Sequence, residues 1–372
     1  MKRSRRKLFV IGLVVVVLGF LLYRSSGMLH LGEFSGQRLW RAIRGANPFY
    51  VILSVIAIYV CYALRSLRWQ VFQRNLGKTH FGSIYRMTLA GFAAVFLLGR
   101  AGEPIRPLLL ARSAKHPVAD VFGIWVLERL FDAASTAVIA AIGLIIFNGR
   151  PHAGESAGSL EVAARTTGMF LAFGVMLAMA ALVYLRLEGS ARLERRLEGW
   201  QNAGGWRAGV ARIVTGFVRG IQTIRSWSDL GLAVLYSMLH WYLVVVIYFW
   251  VSKSFGGGLA QLSVGDCMLV LALTLVGSAV QLPGVGGGSQ VACFLAYTAI
   301  FGVEQEPAAA AAILVWLVTF AACSLAGIPI LIHEGVSLGR LRELAAEEKA
   351  ELRDIAETAA RHEDRRRGEP LE

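Results

Sequence analysis

The chain has 372 residues, of which 17% are charged and 56% hydrophobic, against roughly 25% and 45–50% in an ordinary soluble domain. Mean hydropathy is +0.56. These proportions exclude a soluble globule, and they exclude a disordered chain, which is poor in apolar residues. An all-α polytopic membrane protein is the class that remains. The net charge of +13 is uneven: residues 334–372 carry 8 Lys/Arg and 11 Asp/Glu, and the rest carries 30 basic against 14 acidic residues. The basic residues sit between apolar runs, where cytoplasmic loops collect them. No nucleic-acid partner is expected.

The four cysteines (Cys61, Cys267, Cys293, Cys323) each lie inside an apolar run, with no CxxC pair. The seven histidines are scattered and show no metal-ligand spacing. Neither a metal nor a cofactor is expected.

A span needs about 20 apolar residues to cross a hydrocarbon core of about 30 Å. Leu8 to Tyr23 follows five basic residues and has no small-residue cleavage site after it. It reads as an uncleaved first span with a cytoplasmic N-terminus. Phe49 to Leu64 is the second span, ending in a basic loop with Arg65, Arg68, Arg74, Lys78 and Arg86. In that loop Arg65 and Arg68, beside Trp69, are expected to snorkel to headgroups.

Met87 to Leu98 is 12 residues, too short to cross, and stops at Gly99-Arg100-Ala101-Gly102-Glu103-Pro104. Ile105 to Ala111 then leads to Arg112, Lys115 and His116. Basic flanks on both sides predict a hairpin entering and leaving by the cytoplasmic face. Val118 to Phe147 is a long span carrying Glu128, Arg129 and Asp132. Residues 148–165 form an outer loop, Thr166 to Leu185 crosses back, and the Arg-rich 186–229, with Trp200 and Trp206, reads as surface helices.

Leu230 to Val251 crosses outward. Val264 to Gln281 breaks at Leu282-Pro283-Gly284-Val285-Gly286-Gly287-Gly288-Ser289-Gln290, and Val291 to Phe301 follows. Ala308 to Ile332 is the last span. Parity then requires 281–301 to fold back to the outer face. The outline is about six full transmembrane helices plus two re-entrant helical hairpins in an inverted repeat. Residues 1–335 form the transmembrane domain and 336–372 a charged cytoplasmic tail.

Three stretches could carry function. In the first, Arg100, Gly102, Glu103 and Arg106 bring charge and a flexible backbone to one break. Guanidinium forks suit phosphate, and the bland alternative is a salt-bridged helix cap. In the second, Glu128 and Asp132 share a helix face, flank Arg129, and could neutralise Arg100 or Arg106. That neutralisation is either structural or a gate. In the third, Gly284, Gly286, Gly287 and Gln290 offer exposed backbone N–H groups for an anion, or simply a tight bend. No Gly-Lys-Ser/Thr follows, so this is not a nucleotide loop. No nucleophile–base pair stands out, and no enzymatic activity is expected.

At these residues the chain resembles the flippase-like, lysylphosphatidylglycerol synthase transmembrane-region family. The matching motifs are Gly99-Arg100-Ala101-Gly102-Glu103 with Arg106, then Glu128-Arg129-Leu130-Phe131-Asp132, then Pro283-Gly284. The resemblance covers roughly residues 8–335. It implies an inner-membrane protein that moves a lipid between leaflets. In well-known members this region translocates aminoacylated phosphatidylglycerol made by an attached synthase domain, and other relatives are associated with polyprenyl-linked sugars and hopanoids. About 39 residues follow the last span, so no attached synthase is expected. Where the family commonly has Glu, this chain has Gln290. The expected partners are membrane lipids with anionic headgroups; a lipid-synthesis enzyme and a second copy of the chain are further candidates. A membrane-embedded lipid-phosphate transferase and a non-transporting scaffold are the rival readings.

Overall fold

The computed structural model describes residues 35–146, 226–278, 281–282 and 286–334, with a few helical positions between 166 and 177. Among the described residues the chain is helical apart from one two-residue bridge. The expected first span, the 148–165 loop, most of 166–225, Gly284 and the tail lie outside them.

Helix α1 (Gly36–Gly45) precedes α2 (Pro48–Gln73). Asn47 Oδ1 accepts the Phe49 N–H at 3.0 Å and Pro48 opens the helix, where a missing N–H costs nothing. α2 does not end at Leu64. It continues to Gln73, because Trp69, Val71 and Phe72 stay buried, and it carries Arg65 and Arg68 inside. The expected basic loop therefore loses its first two residues to the helix.

α3 (Phe81–Leu98) has 18 residues and begins upstream of the 12-residue stretch read from the sequence. Arg86 interrupts the apolar run but not the helix: it lies on an exposed face and reaches Glu334 at 3.4 Å. The argument from shortness thus fails; α3 is long and apolar enough to span. A 3-10 turn (Gly99–Gly102), entered through Gly99 at φ 64°, leads to α4 (Ile105–Ala114), which packs back on α3. A Cβ at Gly91 would collide with the stem of Arg106, so the close crossing of the two arms requires glycine there. α5 (Val118–Ile145) follows.

The second described stretch repeats this plan. α6 (Trp227–Ser254) leads through a single helical turn to α7 (Val264–Gly277), capped reciprocally by Ser263 and Asp266. The break is an antiparallel bridge of β1 (Gln281–Leu282) with β2 (Gly286–Gly287), and α8 (Gly288–Ile300) packs back on α7. Here Gly277 is the crossing glycine, facing the Gly288 carbonyl and the Ala292 methyl. α9 (Gln305–His333) contains a π-helical turn at Leu317–Ala321 and Pro329.

The packing pattern is preserved when α2, α3, α4, α5 are exchanged for α6, α7, α8, α9. α3 lies along α9 and α7 along α5; α4 packs on α5 and α8 on α9; α2 touches α3, α5 and α9, and α6 touches α7, α9 and α5. At the centre α2 and α6 pack antiparallel. Asn47 N–H donates to the Ser254 carbonyl at 2.8 Å at one end, and Arg68 donates to Ser237 Oγ at 2.7 Å towards the other. The two hairpin tips touch, β1 against the Gly99–Gly102 turn. α2, α3, α6 and α9 are long and apolar enough to cross a membrane. α5, at 28 residues, is long enough but carries three charges near its middle.

Candidate functional site

Six charged residues of α2, α4 and α5 converge on one network. Arg65 and Arg68 lie three apart on α2, so they share a face. Glu128 and Asp132, four apart on α5, present the complementary face. Arg68 Nη2 donates to Asp132 Oδ1 at 2.8 Å and to Glu128 Oε1 at 3.1 Å. Arg65 donates to Asp132 Oδ2 at 3.2 Å and pairs with Glu128 at 3.4 Å. Arg106, from the start of α4, grips both oxygens of Glu128. Arg129 reaches Glu128 at 3.4 Å and Asp132 at 3.3 Å. Arg65, Arg68, Arg106, Glu128 and Asp132 are all buried; only Arg129 has a substantially exposed side chain, at 42%.

α6 completes the network. Trp241 Nε1 donates to Asp132 Oδ1 at 3.2 Å. His240 Nδ1 lies 3.0 Å from the Cys61 carbonyl, and its Nε2 lies 3.2 Å from Arg65 Nη2. A carbonyl only accepts and a guanidinium only donates, so Nδ1 carries the proton, Nε2 accepts, and the imidazole is neutral. Four guanidinium cations then face two carboxylates. The Arg106 guanidinium also stacks 5.3 Å from the rings of both Trp69 and Phe92. Trp69 belongs to the apolar cluster around α3, α4 and α5, and Phe92 packs against the one around α6 to α9. The network therefore sits at the seam between the two apolar clusters.

Two cavities meet this seam. The larger, about 420 Å³, runs from Arg65, Arg129, Asp132 and His240 to Thr274, Ser289 and Gln290 of the second hairpin, between apolar walls that include Leu271, Val315 and Phe320. The smaller, about 170 Å³, is bounded by Glu103, Arg106, Arg129 and Trp125. Arg129, Phe92 and Phe320 border both. Arg65, on the larger wall, keeps its buried Nε–H without a hydrogen-bond partner.

Of the residues singled out by sequence, Arg106, Glu128, Arg129 and Asp132 come together here, and Glu103 borders the smaller cavity. The Arg100 side chain lies outside the described residues. Gly102 is buried against the Ala94 carbonyl. Gly286 pairs with Leu282. Gly287, at φ 121°, donates its N–H to Gln290 Oε1 at 2.5 Å. Gln290 thus caps the start of α8 and also lines the larger cavity. That cap needs only an acceptor oxygen, which glutamine and glutamate both supply.

Arg65 and Arg68 correct the sequence reading: they are not at headgroups but inside, because α5 provides carboxylates at the depth they reach. Ser237 and His240 are not among the site residues read from the sequence, and Trp241, which reads there as a partly interfacial aromatic, instead donates to Asp132. The signal available for the arginines was their position, 17 and 20 residues past Pro48 in one unbroken helix. Among the described residues no group of His, Cys, Asp and Glu could hold a metal ion.

Comparison with known proteins finds membrane-protein relatives. A "UPF0104 membrane protein" of Methanothermobacter thermautotrophicus is 23% identical over 318 residues, covering 80% of this chain and 89% of that protein. "Glycosyltransferase AglD" of Haloferax volcanii is 26% identical over 377 residues; the match takes in 92% of this chain but 57% of that protein. Residues 9–327 match the profile described as the lysylphosphatidylglycerol synthase TM region. The chain is therefore a multi-pass membrane protein and belongs to that family.

Proposed function

We propose that the chain is a lipid translocase that passes an anionic, phosphate-bearing headgroup between leaflets through the space between its two hairpins. The observation that carries this reading is the buried network of four arginines and two carboxylates, opening on a cavity with apolar walls. A charge at membrane depth costs about 2.5–3.5 kcal/mol on translocon scales. The network holds two more cations than carboxylates; Glu103, on the smaller cavity, offsets part of the Arg129 charge, and a ligand's negative charge would offset the rest. Arg129 offers an exposed fork and Arg65 an unpartnered donor, both on the cavity wall. Acyl, prenyl or hopanoid-type tails would stay in the bilayer, beside the apolar surface.

The topology follows from the same reading. A two-fold axis that exchanges antiparallel α2 and α6 lies across the helices, as an inverted repeat requires. The hairpins then enter from opposite faces and meet at their tips, among six full spans. Both termini are cytoplasmic and the membrane is the inner one. The contact between β1 and the Gly99–Gly102 turn supports this arrangement.

The test is translocation of labelled phosphatidylglycerol by purified protein in liposomes. Loss of transport in Arg129→Ala, with the fold retained, is the expected result. Transport at the wild-type rate would remove the proposed site. A second reading, a membrane-embedded lipid-phosphate transferase, is favoured by the name of the Haloferax relative. It needs a carboxylate base facing a cavity, and Glu103 is the best candidate, since Asp132 is held by three arginines and Trp241. A new covalent product made by purified protein in detergent would favour that reading, since flipping makes none.

A further inference from the structure

α1 is a separate device at one end of the bundle. It lies where α2 begins, α6 ends and α9 begins: Ser35 N–H donates to Glu306 Oε1 at 3.3 Å, and Arg38 Nε pairs with Glu306 at 3.0 Å. Its ten residues, Gly-Gln-Arg-Leu-Trp-Arg-Ala-Ile-Arg-Gly, hold three arginines and no acid. At helical spacing Gln37, Arg41 and Arg44 share one face, and all three are exposed. Leu39, Ala42 and Ile43 are half-buried. Trp40 is 54% exposed, with the Arg44 guanidinium 4.9 Å above its ring. Just beyond, Phe49 and Ile52 at the start of α2 are also exposed. An apolar side on the bundle, an aromatic at the edge and a cationic outer face make up an interfacial helix.

Among the described residues, the other charged groups at this end are Lys253, Asp266, Glu304 and Glu306. Glu306 is engaged by Arg38, Asp266 closes the cap of α7, and Lys253 donates to the Ala260 carbonyl. Arg41 and Arg44 have no carboxylate partner among the described residues. We infer that α1 binds the anionic phospholipid headgroups of the leaflet at this end of the bundle, with Arg41 and Arg44 contacting lipid phosphates. Charge complementarity selects this occupant, and the exposed Trp40, Phe49 and Ile52 are apolar side chains suited to acyl chains. On the proposed topology this is the outer face. Arginines there run against the rule that gathers cations on the cytoplasmic side, so a local anion to offset them is the more needed. The inference rests on the membrane location of the bundle and not on translocation.

The experiment is a nitroxide on Gln37→Cys in the full chain, since the four native cysteines are buried. Label mobility is compared in vesicles of phosphatidylcholine alone and of phosphatidylcholine with phosphatidylglycerol. The expected result is stronger immobilisation with phosphatidylglycerol, reversed by high salt, and cut to less than half in the R41A/R44A variant. Both side chains are exposed and outside the buried network, so the variant should elute and melt like the parent. Equal mobility in the two vesicles, or an unchanged phosphatidylglycerol effect in R41A/R44A, would overturn the inference. The wild-type vesicle comparison stands even if the variant is poorly made. A protein that binds anionic lipid through α1 yet moves none would refute translocation alone.

Discussion

Arg106 holds Glu128 by both of its terminal nitrogens, Nη1 donating to Oε1 at 3.2 Å and Nη2 to Oε2, and the Glu128 carboxylate is fully enclosed. The same carboxylate is reached by Arg65, Arg68 and Arg129. One acid on α5 therefore ties the start of the first hairpin's return arm to the central helix. Removing the charge in Glu128→Gln leaves four guanidinium groups facing one carboxylate. Unbalancing a buried ion pair costs about 3–5 kcal/mol, so E128Q should melt well below the wild type in detergent. Asp132→Asn should cost less, because Asp132 lines the larger cavity, where water can compensate. Equal losses in the two variants would contradict this ranking. The double variant E128Q/R106Q should recover part of the loss, since it removes the isolated cation along with the acid.

Much of this network was legible in the sequence, and the part that was not has a physical cause. Glu128 and Asp132 at helical spacing announce a carboxylate face, and Arg106 is one of the two partners, with Arg100, that the glycine break offers it. Arg65 and Arg68 carry the same chemistry but sit at the end of an apolar run, where arginines usually leave the bilayer. Only the packing of α5 against α2 distinguishes burial from snorkelling, and that contact spans more than sixty residues of sequence. The hairpin breaks were visible as glycine and proline clusters. The true start of α3 was not, because Arg86 looks like the end of a loop until its exposed face and its partner Glu334 are seen. The second hairpin shows the reverse case: the break between its arms falls in the glycine-rich stretch singled out from the sequence, but the role of Gln290 as a helix cap depends on φ at Gly287.

The crossing glycines of the two hairpins should be far less tolerant than a glycine on an open helix face. Gly91→Ala pushes a methyl into the Arg106 stem, and Gly277→Ala pushes one into the Gly288 carbonyl. Overpacking of this kind costs about 1–3 kcal/mol. Gly231→Ala, in α6 with nothing near the added methyl, should be neutral or stabilising by up to about 1 kcal/mol. Detergent melting curves of the three variants test the contrast, and similar melting temperatures would argue against the close crossing of the arms.

Arg129 should separate ligand binding from stability. Its side chain is 42% exposed, and removing it takes away a surplus cation while Arg65, Arg68 and Arg106 still hold the two carboxylates. Arg129→Ala should therefore fold nearly as well as the wild type. On the proposed function it should slow lipid translocation by about tenfold or more, equivalent to about 1.4 kcal/mol. Arg129→Lys should fall between, because lysine keeps the charge but loses the two-pronged donor geometry. A large loss of stability with unchanged transport would reverse the assignment and make Arg129 a structural member of the network.

Sidedness gives the most direct test of the inverted arrangement. Antiparallel α2 and α6 put the α2–α3 loop at one end of the bundle and α1 at the other, next to the end of α6. Lys78, in that loop, and Gln37, on α1, are both exposed. Single cysteines at these positions in sealed membrane vesicles of known orientation should react with a membrane-impermeant maleimide from opposite sides. Lys78→Cys should label from the cytoplasmic side, in keeping with the basic residues around it, and Gln37→Cys from the other. The native cysteines are buried and give a low background. Labelling of both from one side would mean that α2 does not cross. The exchange of halves would then lie along the membrane normal, and the two hairpins would enter from the same face, which removes the basis for alternating access between them.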